Sequence, residues 1–186
     1  TFIEHEFEGF IEQKNWALQQ TAHENVLLLD ADEALSPELI RSILKEKENN
    51  FSSDAYRMNR CTNYCGKFIR HGLWYPDKKT HLFKKQIGKW GSMNPHAKVI
   101  LQRGTKVTYL PGDILHYSYN SIDEHVLLNN KYSLTSAAAL LQRGKKTNWF
   151  KILVNPAWAF VNGYFFRLGF LDGFFGYVIA KNISHL

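Results

Sequence analysis

Cysteine is scarce in this sequence of 186 residues, which contains two. Cys61 and Cys65 lie four residues apart on a stretch that is predicted to be extended, too far apart to bridge easily. No second cysteine pair completes a zinc site. Because two unpaired thiols are typical of a reducing compartment, we expect a cytoplasmic protein.

Long hydrophobic runs and a signal peptide are also absent. No run reaches the roughly 18 consecutive apolar residues of a plain membrane-spanning helix. The N-terminus lacks the pattern of a secretory leader. The sequence begins at Thr1 rather than at methionine, so we expect a fragment or a trimmed chain.

The composition is that of a globular protein with a basic charge balance. Hydrophobic residues make up 45% of the sequence, and its length is sufficient for one domain with a core. The aromatic content of 15% is high, and the formal net charge is +6. Such a charge suits phosphate-rich ligands, nucleic acid or an anionic membrane surface, without choosing among them.

The most informative stretch is a buried strand that ends in carboxylates. The four apolar residues 26–29 are followed by Asp30, Asp32 and Glu33. Ligands of open α/β sheets bind outside the carboxyl ends of strands, and residues i and i+2 of an extended chain point the same way. If the strand geometry persists, Asp30 and Asp32 face one ligand, as in a magnesium- or manganese-diphosphate site. The alternative is a loop whose acids lie near the dipole of the helix that begins after Ser36.

Hydrophobic periodicity and turn signals predict an α/β protein. The predicted helices and strands are Phe10–Ala22, Asn25–Asp30 at the centre of the sheet, Ser36–Glu48, Ala55–Cys61, His81–Lys84 and Ser121–Arg143. Leu39, Ile40, Ile43 and Leu44 are expected on one buried face of the second helix. Residues 62–79 are predicted to be irregular, Val99–Leu101 to pair with Lys106–Leu110 as a hairpin, and Pro111–Asp113 to form a turn.

The C-terminal stretch from Trp149 is rich in aromatic residues. We predict two helical pieces, broken near Pro156 or around Gly169–Gly173, with flanking cations that include Lys145 and Lys151. An element of this kind either lies at a membrane interface or packs on the domain or on a partner chain.

Six stretches together resemble one family. They are Gln13–Leu18, Leu29–Glu33, His71–Asp77, Leu82–Lys84, Gly112–Tyr119 and Gly169–Gly173. In this order they resemble the GT-A, family 2 glycosyltransferases of the lipopolysaccharide-core β-1,4-glucosyltransferase type. The resemblance implies a Rossmann-like mixed sheet flanked by helices, truncated at its N-terminus, with a partial catalytic domain at 1–120 and a helical region at 121–186. An exposed sheet edge left by the truncation would favour self-association.

The resemblance also implies roles for individual residues. Asp32 and His116 would bind a divalent Mn²⁺ or Mg²⁺ ion, Asp30 and Lys14 the nucleotide-sugar, and Asp77 would act as the general base. His116 has the alternative of a strand residue hydrogen-bonded beside two tyrosines. For Asp77 the alternative is a simple turn after proline.

Acceptor binding is assigned to the aromatic stretch before Asp77. Trp74 and Tyr75 would hold a sugar ring, and Arg70 and His71 would contact phosphates or an anionic acceptor, unless these cations form a solvated face.

Two features depart from the family. The strand and loop expected to hold uracil and ribose are missing, and His96–Ala97 replaces a His-Glu pair, so no role passes to that glutamate.

The implied function is metal-dependent, inverting transfer of a sugar, with UDP-glucose as the expected donor, to a glycolipid or lipopolysaccharide-core acceptor. The protein would lie at the inner face of the cytoplasmic membrane of a bacterium and could be a homo-oligomer. The alternative is a non-catalytic remnant that binds glycolipid, membrane or a partner protein. Nucleic acid is not an expected partner, because the sequence shows no nucleic-acid-binding motif.

Overall fold

The computed structural model describes residues 2–91, 97–142, 144 and 146–185. His96, Lys145 and the predicted helix end at Arg143 lie outside these residues. The chain divides into two compact units. The first contains residues up to Arg60 together with Lys78–Ile114, and the second contains Cys61–Asp77 together with Leu115 onward.

The secondary structure is α/β. The helices are α1 (Phe10–Gln20), α2 (Pro37–Glu48), α3 (Ile122–Gln142), α4 (Trp149–Val161) and α5 (Phe174–His185). The strands are β1 (Asn25–Leu27), β2 (Glu33–Leu35), β3 (Ala55–Tyr64), β4 (Lys67–Phe68), β5 (Asp77–Lys84), β6 (Gly88–Gly91), β7 (Lys98–Leu101) and β8 (Val107–Tyr119).

The main sheet has the strand order β1-β5-β3-β8-β2, with β4 paired to β3. It is a mixed sheet with flanking helices, consistent with the expected GT-A-like class. Strand β1 runs antiparallel to β5, with Asn25 opposite Lys84. The prediction of a sheet centred on Asn25–Asp30 is wrong, because β1 has three residues and lies at one end of the strand order. The longer strands β3 and β8 occupy inner positions.

The core of the first unit lies on both faces of its sheet. Tyr56 and Met58 of β3 pack with Leu39 of α2 in one buried cluster. The neighbouring Ala55 and Phe83 pack with Leu18 of α1 in another. Because adjacent residues of a strand point to opposite faces, α1 and α2 cover opposite faces of the sheet.

Helix α2 confirms its predicted start and corrects its predicted face. The Ser36 hydroxyl accepts a hydrogen bond from Leu39 N at 3.2 Å, as an N-cap does. Leu39 is fully buried, whereas Ile40 and Leu44 are 42% and 50% exposed. The buried stripe is therefore narrower than the periodicity predicted.

Pro111–Asp113 does not form the predicted turn, because these residues lie inside β8. Gly112 has a φ of 101°, and a Cβ atom there would collide with the backbone of Leu39. Asp113 N donates to the Ser36 hydroxyl at 3.0 Å, and Ser36 N donates to Asp113 O at 2.9 Å. Glycine therefore allows β8 to pass close to the start of α2.

Strand pairing elsewhere also differs from the prediction. Strand β7 pairs antiparallel with β6, with Trp90 opposite Val99, so the hairpin with Lys106–Leu110 is wrong. Strand β3 extends to Tyr64 and β5 begins at Asp77, so the irregular segment shrinks to residues 69–76 apart from the turn at 65–66.

The second unit contains α3, α4 and α5 and has its own buried cluster, formed by Tyr64, Ile69 and Ile179. Helix α4 continues through Pro156. A π-helical turn at Asn162–Phe166 and a 3₁₀ turn at Gly169–Asp172 separate α4 from α5, so the break lies in the second of the two predicted places. Across the described residues, no helix combines the length and the apolar character needed to cross a membrane.

His125 is buried in the second unit and is held neutral there. Its Nδ1 atom lies 2.9 Å from the Tyr64 hydroxyl and 3.1 Å from Asn182 Nδ2. Burial lowers the pKa of His125 from 6.5 to about 4. Between these values the unfolded chain binds a proton that the folded chain does not, so acidification favours unfolding.

We predict that replacing Gly112 with alanine destabilises the first unit by roughly 2–5 kcal/mol, the sum of left-handed strain and collision with Leu39. Gly104→Ala is the matched control, since Gly104 also has positive φ (86°) but has open space around it. It should cost roughly 1–2 kcal/mol, from strain alone. Urea unfolding measures both, and equal losses would contradict the close approach of β8 to α2.

Acidification should weaken the fold through His125. Between pH 6.5 and pH 5 we expect this residue to contribute a loss of about 2 kcal/mol in unfolding free energy, from the difference in proton binding. His125→Gln should lower stability at pH 7 but flatten the pH dependence between pH 7 and pH 5. Parallel pH profiles for the variant and the parent protein would show that His125 is not the titrating group.

Candidate functional site

The acidic stretch forms a tight turn in the first unit. Glu33 N donates to Asp30 O at 3.0 Å, and Asp30 N donates to Glu33 Oε2 at 3.1 Å. Strand β1 ends at Leu27, so the condition under which Asp30 and Asp32 would share one strand face is not met. The turn instead leaves Asp32 exposed and Asp30 half-buried.

The two residues assigned to nucleotide-sugar binding lie together. Lys14 Nζ is 2.6 Å from Asp30 Oδ1, and the side chains are 23% and 43% exposed. The same ammonium group lies 4.3 Å from the centre of the Trp90 ring. The ring and the carboxylate fix the position of the lysine beside the acidic turn, while an exposed pair of this kind adds little to stability.

Beneath the turn lies a carboxylate that sequence reasoning assigned to the same acidic run without a role. The Glu33 side chain is fully buried, 3.7 Å from His81 Nδ1 and 3.9 Å from Arg60 Nη1. His81 Nδ1 also lies 2.7 Å from Leu28 O, and burial is the main cause that lowers the pKa of His81. In the sequence Glu33 is the acid directly after Asp32, and the structure shows that its side chain faces inward.

The acidic turn offers one exposed carboxylate to a divalent cation. Among the residues that the structure describes, no three His, Cys, Asp or Glu side chains are grouped as a metal site. Mg²⁺ commonly uses one or two protein carboxylates and completes its shell with water and phosphate oxygens. Asp32 supplies one exposed carboxylate in the first unit, and His116 is a half-buried residue of β8 in the second.

In the second unit, Asp172 contacts the segment assigned to acceptor binding. We call residues 70–76 the 70–76 loop. Asp172 Oδ2 accepts hydrogen bonds from Arg70 N at 3.0 Å and from His71 N at 2.8 Å. Its Oδ1 atom lies 3.4 Å from His71 Nδ1, and the residue is 4% exposed. Two stretches of the family resemblance, about 100 residues apart in sequence, are therefore in direct contact.

The aromatic side chains of the 70–76 loop are partly used in packing. The Trp74 ring stacks on Tyr119 with centroids 5.3 Å apart and makes an edge-to-face contact with Tyr64. Trp74 and Tyr75 are half-buried, Arg70 is exposed, and Asp77 follows as the half-buried first residue of β5. The loop and the residue that follows it thus offer an exposed cation, partly accessible aromatics and a carboxylate along one short segment.

Relatives with known names match most of the chain. An uncharacterized glycosyltransferase of Rickettsia prowazekii (strain Madrid E) is 30% identical over 179 residues, which cover 91% of this chain and 61% of that protein. Its counterpart from Rickettsia typhi (strain Wilmington) is 29% identical with the same coverage. The lipopolysaccharide core biosynthesis glycosyltransferase LpsC of Rhizobium meliloti (strain 1021) is 25% identical over 175 residues, 92% of this chain and 62% of LpsC.

No family model matches the chain. The chain spans about three fifths of the length of these curated relatives. The matches extend over both units, because they cover about nine tenths of the sequence. The resemblance drawn from the six motifs is therefore confirmed: along most of its length the chain is similar to glycosyltransferases, one of which is named for lipopolysaccharide core biosynthesis.

Proposed function

We propose that the protein transfers a sugar from a nucleotide-sugar donor, with UDP-glucose as the first candidate, to a glycolipid or lipopolysaccharide-core acceptor. The observation that carries this proposal is the similarity to LpsC over 92% of the chain, which includes the acidic turn and the 70–76 loop. The exposed carboxylate of Asp32 and the aromatic loop before Asp77 supply the residue types that such a transfer needs.

The donor side is assigned to the acidic turn. A divalent cation bound there would offset the negative charge of the diphosphate leaving group. Asp32 contributes its exposed carboxylate, and His116 is proposed as a further ligand. Lys14 already lies against Asp30 and Trp90, so its ammonium group is preorganised for a phosphate or ribose oxygen at the same turn.

The acceptor side is assigned to the 70–76 loop and Asp77. In the proposed step the acceptor oxygen attacks the anomeric carbon, the bond from that carbon to the diphosphate oxygen breaks, and Asp77 takes the acceptor proton. Attack and departure on opposite faces of the sugar would invert its configuration. Trp74 and Tyr75 would contact the sugar ring, and Arg70 and His71 would bind negative charge on the acceptor.

We expect Asp32→Asn in the natural full-length protein to weaken Mn²⁺ and nucleotide diphosphate binding together, because carboxylate and diphosphate would share one cation. His116→Ala should have the same effect more weakly, since water can replace a neutral imidazole in the shell of the ion. Isothermal titration with UDP, with and without Mn²⁺, measures both changes. Unchanged metal-dependent binding in Asp32→Asn would contradict the donor assignment.

Asp77→Asn should behave differently, because it removes the proton acceptor and leaves the donor side intact. Turnover should fall by roughly 10²–10⁴-fold, the usual contribution of a general base, with UDP binding preserved. A transfer assay run beside the titration separates the two behaviours. Normal turnover in both the Asp32 and Asp77 variants would show that these residues do not form the active site. Absence of transfer by the parent protein would favour the non-catalytic binding protein instead.

We further propose that helix α4 lies on an anionic membrane surface, which would place the protein at the inner face of the cytoplasmic membrane. Trp149 and Phe150 are 74% and 63% exposed, and Lys151 follows them. Ile152 and Leu153 of the same helix are 59% and 61% exposed. Apolar side chains beside cations are the combination that interfacial helices present to lipid headgroups.

The double variant Trp149→Ser/Phe150→Ser should lose most of its capture by floating vesicles that contain anionic lipid. Each large apolar side chain removed should weaken binding roughly tenfold or more. Ile100→Ser is the matched control, because Ile100 is an exposed apolar residue (43%) of the first unit. Equal capture of the parent protein and the double variant would show that α4 covers a protein surface rather than lipid.

A further inference from the structure

Asp172 lies in the short 3₁₀ turn that precedes α5, and it is one of the few buried charged residues of the second unit. Both of its polar groups face the segment that leads into the 70–76 loop. The carboxylate accepts from Arg70 N and His71 N, and the backbone carbonyl accepts from Lys67 Nζ at 2.8 Å. An ionised carboxylate only accepts hydrogen bonds, so it can satisfy two N–H groups that converge on it.

A second set of contacts fixes the same loop. Gly72 N donates to Arg167 O at 2.8 Å. A Cβ atom on Gly72 would lie 3.6 Å from Gly163 O and from the Gly169 Cα atom, so the loop backbone packs directly on the backbone of the turns between α4 and α5. A Cβ atom on Gly163 would lie 3.1 Å from Leu73 Cδ1, so the Leu73 side chain lies close to this turn. The loop is therefore held by backbone contacts on one side and by the Asp172 carboxylate at its start.

The loop presents further groups beside those that Asp172 holds. Arg70 and His71 offer their backbone N–H groups to Asp172. Arg70 is exposed, whereas the His71 ring also lies against the Asp172 carboxylate, with 36% of its side chain exposed. Trp74, Tyr75 and Asp77 follow within six residues. A shift of the loop start would strain the short segment that connects it to these groups, and small misplacements of reacting groups reduce rates strongly.

We propose that Asp172 is a positioning residue for the acceptor side of the site. Its buried carboxylate fixes the start of the 70–76 loop and, through it, the placement of Trp74, Tyr75 and Asp77, without contacting the substrate. The catalytic part of this inference rests on the proposed function. The contact between carboxylate and loop is a property of the fold and can be measured without any activity.

The test compares Asp172→Ala with Asp172→Asn in the natural full-length protein. Alanine removes the acceptor of both N–H groups, so hydrogen exchange at the Arg70 and His71 amides should accelerate. In the transfer assay, kcat/KM for the acceptor should fall on the order of 10²-fold, with the affinity for UDP and Mn²⁺ unchanged. Asparagine keeps a side-chain oxygen for the two N–H groups and should restore most of both properties.

Ser121→Ala is the control for simple loss of stability. The Ser121 hydroxyl accepts from Glu124 N at 3.1 Å at the start of α3, so its loss weakens the same unit without touching the loop. This variant should unfold more easily yet keep the acceptor KM and the amide exchange of the loop. If Asp172→Ala does not fold, Asp172→Ser takes its place, because a short hydroxyl cannot reach both N–H groups.

Three outcomes would overturn the inference in distinguishable ways. Unchanged exchange at Arg70 and His71 in the alanine variant would show that Asp172 does not hold the loop. Faster amide exchange with unchanged acceptor kinetics in an active enzyme would show that the contact between Asp172 and the loop has no part in catalysis. Faster exchange with no transfer even by the parent protein would reject the proposed function itself.

Discussion

A buried carboxylate that accepts backbone N–H hydrogen bonds holds each of the two candidate site segments, the acidic turn and the 70–76 loop. Glu33 accepts from Asp30 N in the first unit, and Asp172 accepts from Arg70 N and His71 N in the second. A buried carboxylate is costly unless such donors compensate it, so each turn and its carboxylate depend on each other. In each unit a polar residue near the inward-facing acid is exposed, Asp32 in the first and Arg70 in the second.

Neighbouring residues therefore have different environments: one side chain packs inside the protein, and the other faces solvent. Along the acidic turn, Glu33 packs against His81 and Arg60 while Asp32 stays exposed. Stable positions for exposed polar groups favour recognition of a charged ligand, because little motion has to be lost when the ligand binds. The similarity to proteins named glycosyltransferases supports the proposal that these groups serve a sugar donor and an acceptor.

Local signals predicted the helices well, whereas contacts between residues far apart in the chain could not be predicted from the sequence. The N-cap at Ser36 and the Ser121–Glu124 capping interaction depend on neighbours within four residues, so they can be recognised in the chain. The Pro111–Gly112 pair carries an ordinary turn signal, yet its glycine serves close approach to Leu39. The role of Asp172 depends on amides about 100 residues away, and no local pattern reveals it. The roles of Asp30, Asp32, Asp77 and His116 stay predictions.

The central claim is that a sugar is moved from a nucleotide to a saccharide acceptor. The most direct measurement incubates the natural full-length protein with UDP-glucose, Mn²⁺ and a lipopolysaccharide-core acceptor and follows the acceptor by mass spectrometry. The account predicts an acceptor heavier by one hexose residue, with release of one UDP for each hexose transferred. An unmodified acceptor across a panel of nucleotide-sugars, with the donors left intact, would contradict it.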